Sequence, residues 1–181
     1  LPKSARSHIR IDGERTTEVD YSGLHIVLLY AQKGRNYFGE VSNNDPYSVS
    51  ITGFMKDDGQ LYDDGRYLAK NLLLMAVNSI DEVSTFKALR SEINKGEHDF
   101  SHVKLNKEFL QPILDQLKQN HHLIADKLCS GAGIDLQYID SQITEKLIEH
   151  FTAMDVPILT VHDSYIVPHD YALELRDMMA Q

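Results

Sequence analysis

The chain has 181 residues, of which 42% are hydrophobic and 25% charged, so its composition is that of an ordinary globular protein. Acidic residues outnumber basic ones by 27 to 18, and the net charge of −9 argues against a protein that grips nucleic acid with its whole surface. With one cysteine, no signal-peptide pattern and no long apolar run, the sequence excludes an internal disulfide and predicts a cytoplasmic protein without a transmembrane helix.

A β-hairpin is predicted near the start of the chain. Residues 8–12 and 16–20 show strand-like alternation, and the turn Asp12-Gly13-Glu14 separates the two stretches. The second strand ends at Asp20. A helix is expected to follow this strand, because Ser22 suits an N-cap and the residues after it are largely apolar.

Helical patterns dominate the middle of the chain. Asp45 and Pro46 suit the N-cap and first turn of a helix that would continue to about Met55, although the β-branched residues of this stretch also suit a strand. Longer apolar-rich patterns predict helices over residues 66–79, 84–94 and 106–128. Together, residues 34–128 are expected to form a mostly helical insertion.

The last part of the chain predicts a helix, two strands and a final helix. The first helix covers residues 135–154, and the apolar strand 156–161 then leads into Asp163. A returning strand over residues 164–167 places Asp163 at or near a tight turn. Asp170 is expected to cap the last helix. The balance of many helices and a small antiparallel sheet predicts an α+β fold.

Two aspartates, Asp20 and Asp163, share an unusual context. Each closes a strand with β-branched residues, and packing explains such carboxylates poorly, because burying a charge is costly unless it is paired or bound to a metal. Strands lying side by side would bring the two carboxylates together, and such oxygen ligands suit Mg²⁺ or Mn²⁺. The structural alternative is that each aspartate only caps the element that follows it.

A third feature is a stripe along the predicted helix 66–79. Arg66 and Lys70 are four residues apart and so share one face, which Leu74 and Asn78 continue. Two cations at the start of an otherwise apolar helix would suit a triphosphate. The alternative is the solvent-exposed edge of a core helix.

The three features occur in the order of a known set of motifs. Residues 20–25, Asp-Tyr-Ser-Gly-Leu-His, resemble motif A of the A-family DNA polymerases, which is an Asp-Tyr-Ser at a strand end that leads into a helix. The stripe over residues 66–78 resembles motif B, a series spaced by four on the fingers helix. Residues 161–164, Val-His-Asp-Ser, resemble motif C in a form closer to the phage-type single-subunit RNA polymerases.

This resemblance implies a single palm-like domain over residues 1–181 that carries the helical segment as a fingers-like insertion, and we expect the chain to be a fragment of a longer protein. It also implies that Asp20 and Asp163 bind two Mg²⁺ or Mn²⁺ ions, helped by the Tyr21 backbone carbonyl, and that His162 lies beside them near the primer end. The partners would be a nucleic-acid template and primer and nucleoside triphosphates. Because the net charge is −9, further domains or protein partners would supply the basic surface.

Substrate-binding roles are implied for residues on three of the predicted helices. Arg66 and Lys70 would hold the phosphates of the incoming nucleotide. Asn78, on the same stripe, and His25, in motif A, would lie near its sugar. The segment Ser141-Gln142, on the helix before the motif C strand, resembles the equivalent helix of the RNA polymerases. This resemblance implies a substrate-binding role for Gln142.

Four positions depart from the families. His25 stands where the A-family DNA enzymes have a glutamate that excludes ribose, and Leu74 stands where they have an aromatic residue. Asn78 replaces a tyrosine that senses the sugar, and Asp140 replaces a histidine that helps the RNA polymerases to recognise ribose. These departures leave DNA and RNA synthesis both open.

Two other functions compete with the polymerase interpretation. Three His-Asp pairs, at His98, His162 and His169, suggest a metal-dependent phosphohydrolase of the HD type, although that family carries its pair on a helix. The net charge of −9 would also suit a non-catalytic acidic domain that binds a protein partner. The HD alternative predicts phosphate ester hydrolysis, and the non-catalytic alternative predicts no binding of divalent metal.

Overall fold

The computed structural model describes residues 3–40, 45–96 and 98–180, and it confirms an α+β fold with one small antiparallel sheet. The strands are β1 (Arg10–Ile11), β2 (Glu14–Asp20), β3 (Leu159–Val161) and β4 (Ser164–Pro168). The helices are α1 (Lys3–Arg6), α2 (Leu24–Gln32), α3 (Tyr37–Glu40), α4 (Asp63–Asn78), α5 (Glu82–Ile93), α6 (Lys107–Asn120), α7 (Gly133–Ala153) and α8 (Ala172–Met179). Among these residues, no helix combines the length and the apolarity needed to cross a bilayer.

The chain forms two compact units. The first contains the residues up to Leu24 and those from Gln137 onward, and it therefore holds all four strands. The second is continuous from His25 to Leu136. The insertion predicted over residues 34–128 lies inside this second unit.

The sheet of the first unit has the strand order β1-β2-β4-β3, and each neighbouring pair is antiparallel. The β1–β2 hairpin turns at Asp12 and Gly13, whose φ angles of 52° and 83° are both positive, as a type I′ turn requires. β2 pairs with β4, and the pairing extends to Asp20 opposite Ser164. The hairpin and the returning strand that the sequence predicts are both confirmed.

One apolar cluster supports this sheet. β4 contributes Tyr165 and Val167, α7 contributes Leu147 and Phe151, and α8 contributes Leu175, all of them buried. The β4 residues are two apart and so point to the same side of the sheet, and the α7 residues are four apart and so share one helix face. Burial of this cluster packs β4 against the helices of its own unit and fixes the position of its first residue.

A helical core fills the second unit. α4 buries a face that includes Leu68, Leu72 and Ala76, which recur every four residues. α5 begins at a capping box, in which the side chains of Asp81 and Ser84 each accept from the backbone N–H of the other. The two helices predicted over residues 66–79 and 84–94 are therefore confirmed, with bounds that differ by a few residues.

The pattern predicted as one helix over residues 106–128 forms two elements. α6 ends at Asn120, and a 3₁₀ turn follows over His122–Lys127. Between them His121 leaves the helical conformation, with φ of −105° and ψ of 40°. The single-helix prediction was wrong because the side chain of His121 turns into the core rather than staying on the polar face.

The helix predicted from Asp45 to about Met55 was wrong, and the strand alternative was wrong too. The Asp45 carboxylate accepts from the Tyr47 N–H at 3.2 Å, which makes a local turn in place of a helix cap. Side chains of α6 then bond the backbone of the segment. Gln116 accepts from the Ser50 N–H at 2.9 Å and donates to its carbonyl at 3.1 Å. These tertiary bonds replace the hydrogen bonds that a helix would supply.

The predicted cap at Asp170 was also wrong. Asp170 lies inside a 3₁₀ turn, His169–Tyr171, and α8 begins only at Ala172. No side-chain hydrogen bond caps α8 at Tyr171. The Pro168 residue before this turn fixes the backbone and displaces the start of the regular helix.

Candidate active site

Asp20 and Asp163 lie at the adjacent ends of two neighbouring strands, Asp20 as the last residue of β2 and Asp163 in the turn just before β4. Asp20 is the last residue of β2 and lies opposite Ser164, and the Tyr21 N–H donates to the Asp163 carbonyl oxygen at 3.2 Å. Directly paired Cα atoms lie about 4.5–5.5 Å apart and consecutive ones about 3.8 Å. The Cα atoms of Asp20 and Asp163 are therefore roughly 6–7 Å apart.

A two-residue turn between β3 and β4 contains Asp163. In a regular ladder Asp20 and Asp163 would point to opposite faces, because Asp163 lies opposite Tyr21 rather than opposite Asp20. Asp163 lies in this turn, and its charge acts on the Tyr165 hydroxyl. His162, the other turn residue, has a φ of 54°, a left-handed backbone that costs a non-glycine residue about 1–2 kcal/mol. Such strained residues cluster at functional sites.

Oxygen donors of the kind that Mg²⁺ prefers occur near the ends of β2 and β4. Asp20 is exposed, and its Oδ1 accepts from the hydroxyl of the buried Ser164 at 3.1 Å. Within the part of the chain that the structure describes, no group of three or more His, Cys, Asp or Glu residues could hold a metal. Mg²⁺ is usually held by one or two carboxylates, with waters and substrate phosphates completing its shell, and Asp20, Asp163 and the Tyr21 carbonyl are the donors that the sequence predicts for it.

Two tyrosines support the strand ends from the helix side. The rings of Tyr21 and Tyr165 meet edge to face with centroids 6.2 Å apart, and the Tyr165 hydroxyl lies 2.7 Å from the Thr144 hydroxyl of α7. Burial raises the pKa of Tyr21 to about 12, and Tyr165 and the Asp140 carboxylate add to the rise. Burial likewise raises the pKa of Tyr165, with the charges of Asp140 and Asp163 acting in the same direction. Both phenols stay protonated at neutral pH, so they position the strands and neither bind metal as phenolates nor act as bases.

The sequence patterns place Ser164 in motif C without assigning it a role, and they do not single out Tyr165 or Thr144. The signal for Ser164 was its place after the His-Asp pair at the start of a strand. Tyr165 could have been found from the alternation of β4, which points it to the side that α7 covers. The pairing of Tyr165 with Thr144 joins two separate elements, so no local pattern marks it.

Gln142 makes its side-chain hydrogen bond within α7. It is exposed on α7, and its amide donates to the Tyr138 hydroxyl four residues earlier at 3.3 Å. This contact stays within one helix turn. The contacts of Gln142 therefore add nothing to the donor set of the aspartates.

The predicted cationic stripe is an exposed face of α4 in the second unit. Arg66 and Lys70 are both exposed, and Arg66 bonds Asp45 at 3.2 Å and lies over the Tyr47 ring at 5.0 Å. Lys70 has no ion pair within the described residues. His25, the motif A position of the same unit, is half-buried on α2.

Asn78 has a structural role at the end of α4. Its amide donates to the Leu74 carbonyl at 2.8 Å. A Cβ on Gly133 would collide with the Asn78 Oδ1. Asn78 therefore packs closely against the start of α7.

The three His-Asp pairs lie in separate environments. His98 Nδ1 lies 2.5 Å from the Asp64 carboxylate, and its ring stacks on Tyr67 with centroids 4.0 Å apart. His169 Nδ1 lies 2.7 Å from the Thr17 hydroxyl, and His162 lies on the exposed β3–β4 turn. None of these contacts joins two histidines around one metal position, as an HD-type site would require.

Comparison with known proteins gives no match, whether to protein-family models, to curated sequences or to solved structures. The case for the site therefore depends on its residues and their geometry.

Proposed function

We propose that this chain is the catalytic core of a template-directed nucleic-acid polymerase, a nucleotidyltransferase that uses two divalent metal ions. One observation carries the proposal. Asp20 ends β2 and Asp163 directly precedes β4, the neighbouring antiparallel strand, and the Tyr21 N–H donates to the Asp163 carbonyl oxygen at 3.2 Å. These are the carboxylates on which motifs A and C depend. In this proposal the first unit is palm-like and the second is fingers-like.

The residues of the first unit would bind and orient the metal ions. Asp20, Asp163 and the Tyr21 carbonyl would hold them, and the ions supply the charge that activates an attacking hydroxyl and stabilises a leaving pyrophosphate. Ser164 orients one oxygen of Asp20 through its 3.1 Å hydrogen bond. His162 is exposed beside Asp163 and would contact the primer end. Catalysis in such a site is mainly positioning and electrostatic stabilisation.

The second unit would bind the nucleotide through α4. Lys70 is the better phosphate ligand of the stripe, because it is exposed and forms no ion pair with another described residue. To bind the phosphate, Arg66 would have to break its ion pair with Asp45. This surface ion pair contributes at most about 1 kcal/mol to stability. Because Asn78 has a structural role, other residues would have to distinguish ribose from deoxyribose. DNA and RNA synthesis are therefore both compatible with the proposal.

Primer extension by the full-length protein tests this function. Asp20→Asn and Asp163→Asn should each lower extension at least about a hundredfold, because an amide cannot replace a carboxylate in a site that works by electrostatic stabilisation. Asp177→Asn, at an exposed carboxylate of α8, is the matched control and should retain activity. Ribonucleotides and deoxyribonucleotides are each supplied with Mg²⁺ or Mn²⁺. Circular dichroism should show that all three variants are folded.

Two results would overturn the proposal. One is the absence of extension by the intact protein under every combination of metal and nucleotide. The other is extension that survives Asp20→Asn and Asp163→Asn as well as it survives Asp177→Asn.

A further inference from the structure

Two arginines face each other across the β1–β2 hairpin. Arg10 pairs with Arg15 in the antiparallel register, so both side chains leave the same face, with Cβ atoms about 4.5–5.5 Å apart. Like charges directly opposite each other destabilise a strand pair. The type I′ turn at Asp12 and Gly13 fixes this register, so the strands cannot slip to separate the charges.

No side chain in the described ranges forms an ion pair with either arginine. The ion pairs and hydrogen bonds of these residues include neither guanidinium, whereas Arg6 in the same unit bonds Glu18 at 2.8 Å. Glu14 and Asp170 border the same space, yet neither forms an ion pair with Arg10 or Arg15. Two cations that lie side by side without an ion pair repel each other, and a bound anion would relieve this repulsion.

The space beside the pair is a cavity of about 610 Å³ between the hairpin and the 3₁₀ turn His169–Tyr171. This volume lies within the range of about 300–1,000 Å³ that is typical of small-ligand sites. His169 borders the cavity, and its Nδ1 lies 2.7 Å from the Thr17 hydroxyl, which leaves Nε2 for a ligand. Tyr171 adds an aromatic wall.

We propose that this cavity, the hairpin anion site, binds a phosphate group between Arg10 and Arg15, with His169 as a further donor. The planar guanidinium matches the geometry of phosphate oxygens and can bond two of them at once. A phosphate has enough oxygens to serve both arginines together, so its charge turns a repulsive pair into a favourable one. Free phosphate, a nucleotide and the 5′-phosphate of a nucleic-acid strand all present this group.

The hairpin anion site does not depend on the proposed polymerase function. Arg15, Thr17 and Val19 lie on one face of β2, and Asp20 lies on the other face. The arginine pair therefore leaves the face of the strand that Asp20 does not use. Loss of one site is expected to leave the other intact.

Calorimetric titration of the full chain tests the site with three probes: inorganic phosphate, a nucleoside monophosphate and a 5′-phosphorylated oligonucleotide. Each is compared with chloride at the same ionic strength. Arg10→Gln and Arg15→Gln should each weaken binding about tenfold or more, the usual effect of losing a hydrogen bond to a charged group. Arg176→Gln, at an exposed arginine of α8 outside the cavity, should bind as the wild type does. The probe that binds best identifies the source of the phosphate.

Thermal unfolding separates loss of the site from loss of the fold. Without phosphate, Arg10→Gln and Arg15→Gln should melt at or above the temperature of the wild type, because each removes the repulsion. With phosphate, only the wild type and Arg176→Gln should be stabilised. The proposal is overturned if no probe binds better than chloride, or if binding survives both hairpin substitutions. Since no metal or primer is present, failure here leaves the polymerase proposal untouched.

Discussion

His121, at the end of α6, shows at the scale of one residue how the second unit depends on a protonation state. It is 1% exposed, with Nδ1 lying 3.2 Å from the Tyr30 hydroxyl and Nε2 lying 2.8 Å from the Pro46 carbonyl oxygen. A neutral ring protonated on Nε2 satisfies both partners, since it donates to the carbonyl and accepts from the hydroxyl. Burial lowers the pKa of His121, although the bond to Pro46 opposes the shift.

Stability should therefore fall as the solution becomes acidic. The ordinary pKa of 6.5 applies to the unfolded chain, which binds more protons than the folded one once the pH drops below that value. The contribution of His121 to the unfolding free energy is complete above about pH 6.5 and decreases below it. Urea unfolding between pH 7.5 and 5 should show a larger loss for the wild type than for His121→Gln. His122→Gln, at the exposed neighbour, should behave as the wild type, and equal losses in all three proteins would contradict the assignment.

The pairing of Asp20 with Ser164, which brings Asp163 to the neighbouring position, also belongs to the residue scale, and local sequence patterns could not have predicted it. Each aspartate is recognisable as a strand-end carboxylate, but the hydrogen bond between Asp20 and Ser164 joins residues 144 positions apart. Periodicity carries no information across such a distance. Only the order of three short motifs suggested that the two strands are neighbours.

At the scale of elements, the sequence predicts a segment correctly when the hydrogen-bond partners of its backbone are close along the chain. The β1–β2 hairpin was predictable because Asp12 and Gly13 form a turn whose chemistry is local. α4 was predictable because its own periodicity decides which face is buried. The segment from Asp45 to Met55 was not predictable, because its backbone bonds side chains of α6 that lie far along the chain.

Gln116 should therefore be needed to hold this segment. Gln116→Ala removes two hydrogen bonds to the Ser50 backbone and should lower the unfolding free energy by about 1–3 kcal/mol. Gln119→Ala, at an exposed position of the same helix, is the matched control and should change it by less than about 0.5 kcal/mol. Urea unfolding followed by circular dichroism measures both. Equal stabilities of the two variants would show that the segment is held by apolar burial alone.

At the scale of the whole molecule, the two units are built differently. The second unit is one continuous stretch with its own buried cluster, which runs from Ile26 to Leu136. The first unit joins the two ends of the described chain, and its sheet pairs β2 with β4. The second unit thus has its whole buried cluster in one continuous segment, whereas the sheet of the first unit requires strands from two distant segments.

A fragment covering residues 25–136 should fold alone. It retains the whole of its buried cluster, so we expect helical circular dichroism and one cooperative thermal transition. The matched fragment is residues 137–181, which keeps β3 and β4 but loses β2, and it should show no cooperative transition. A gradual, non-cooperative melt of the 25–136 fragment would show that the second unit requires the first.

β2 and β4 are far apart in the sequence, and this separation has a consequence for synthesis on the ribosome. β2 is made first, and it cannot pair with β4 until the segment between them has been made. Meanwhile the continuous unit between them can fold as it emerges, which shortens the loop that the pairing must close. Asp20 and Ser164 then come together only after this unit has been made. A polypeptide released before residue 164 would lack β4, so among the described strands β2 would have only β1 as a partner.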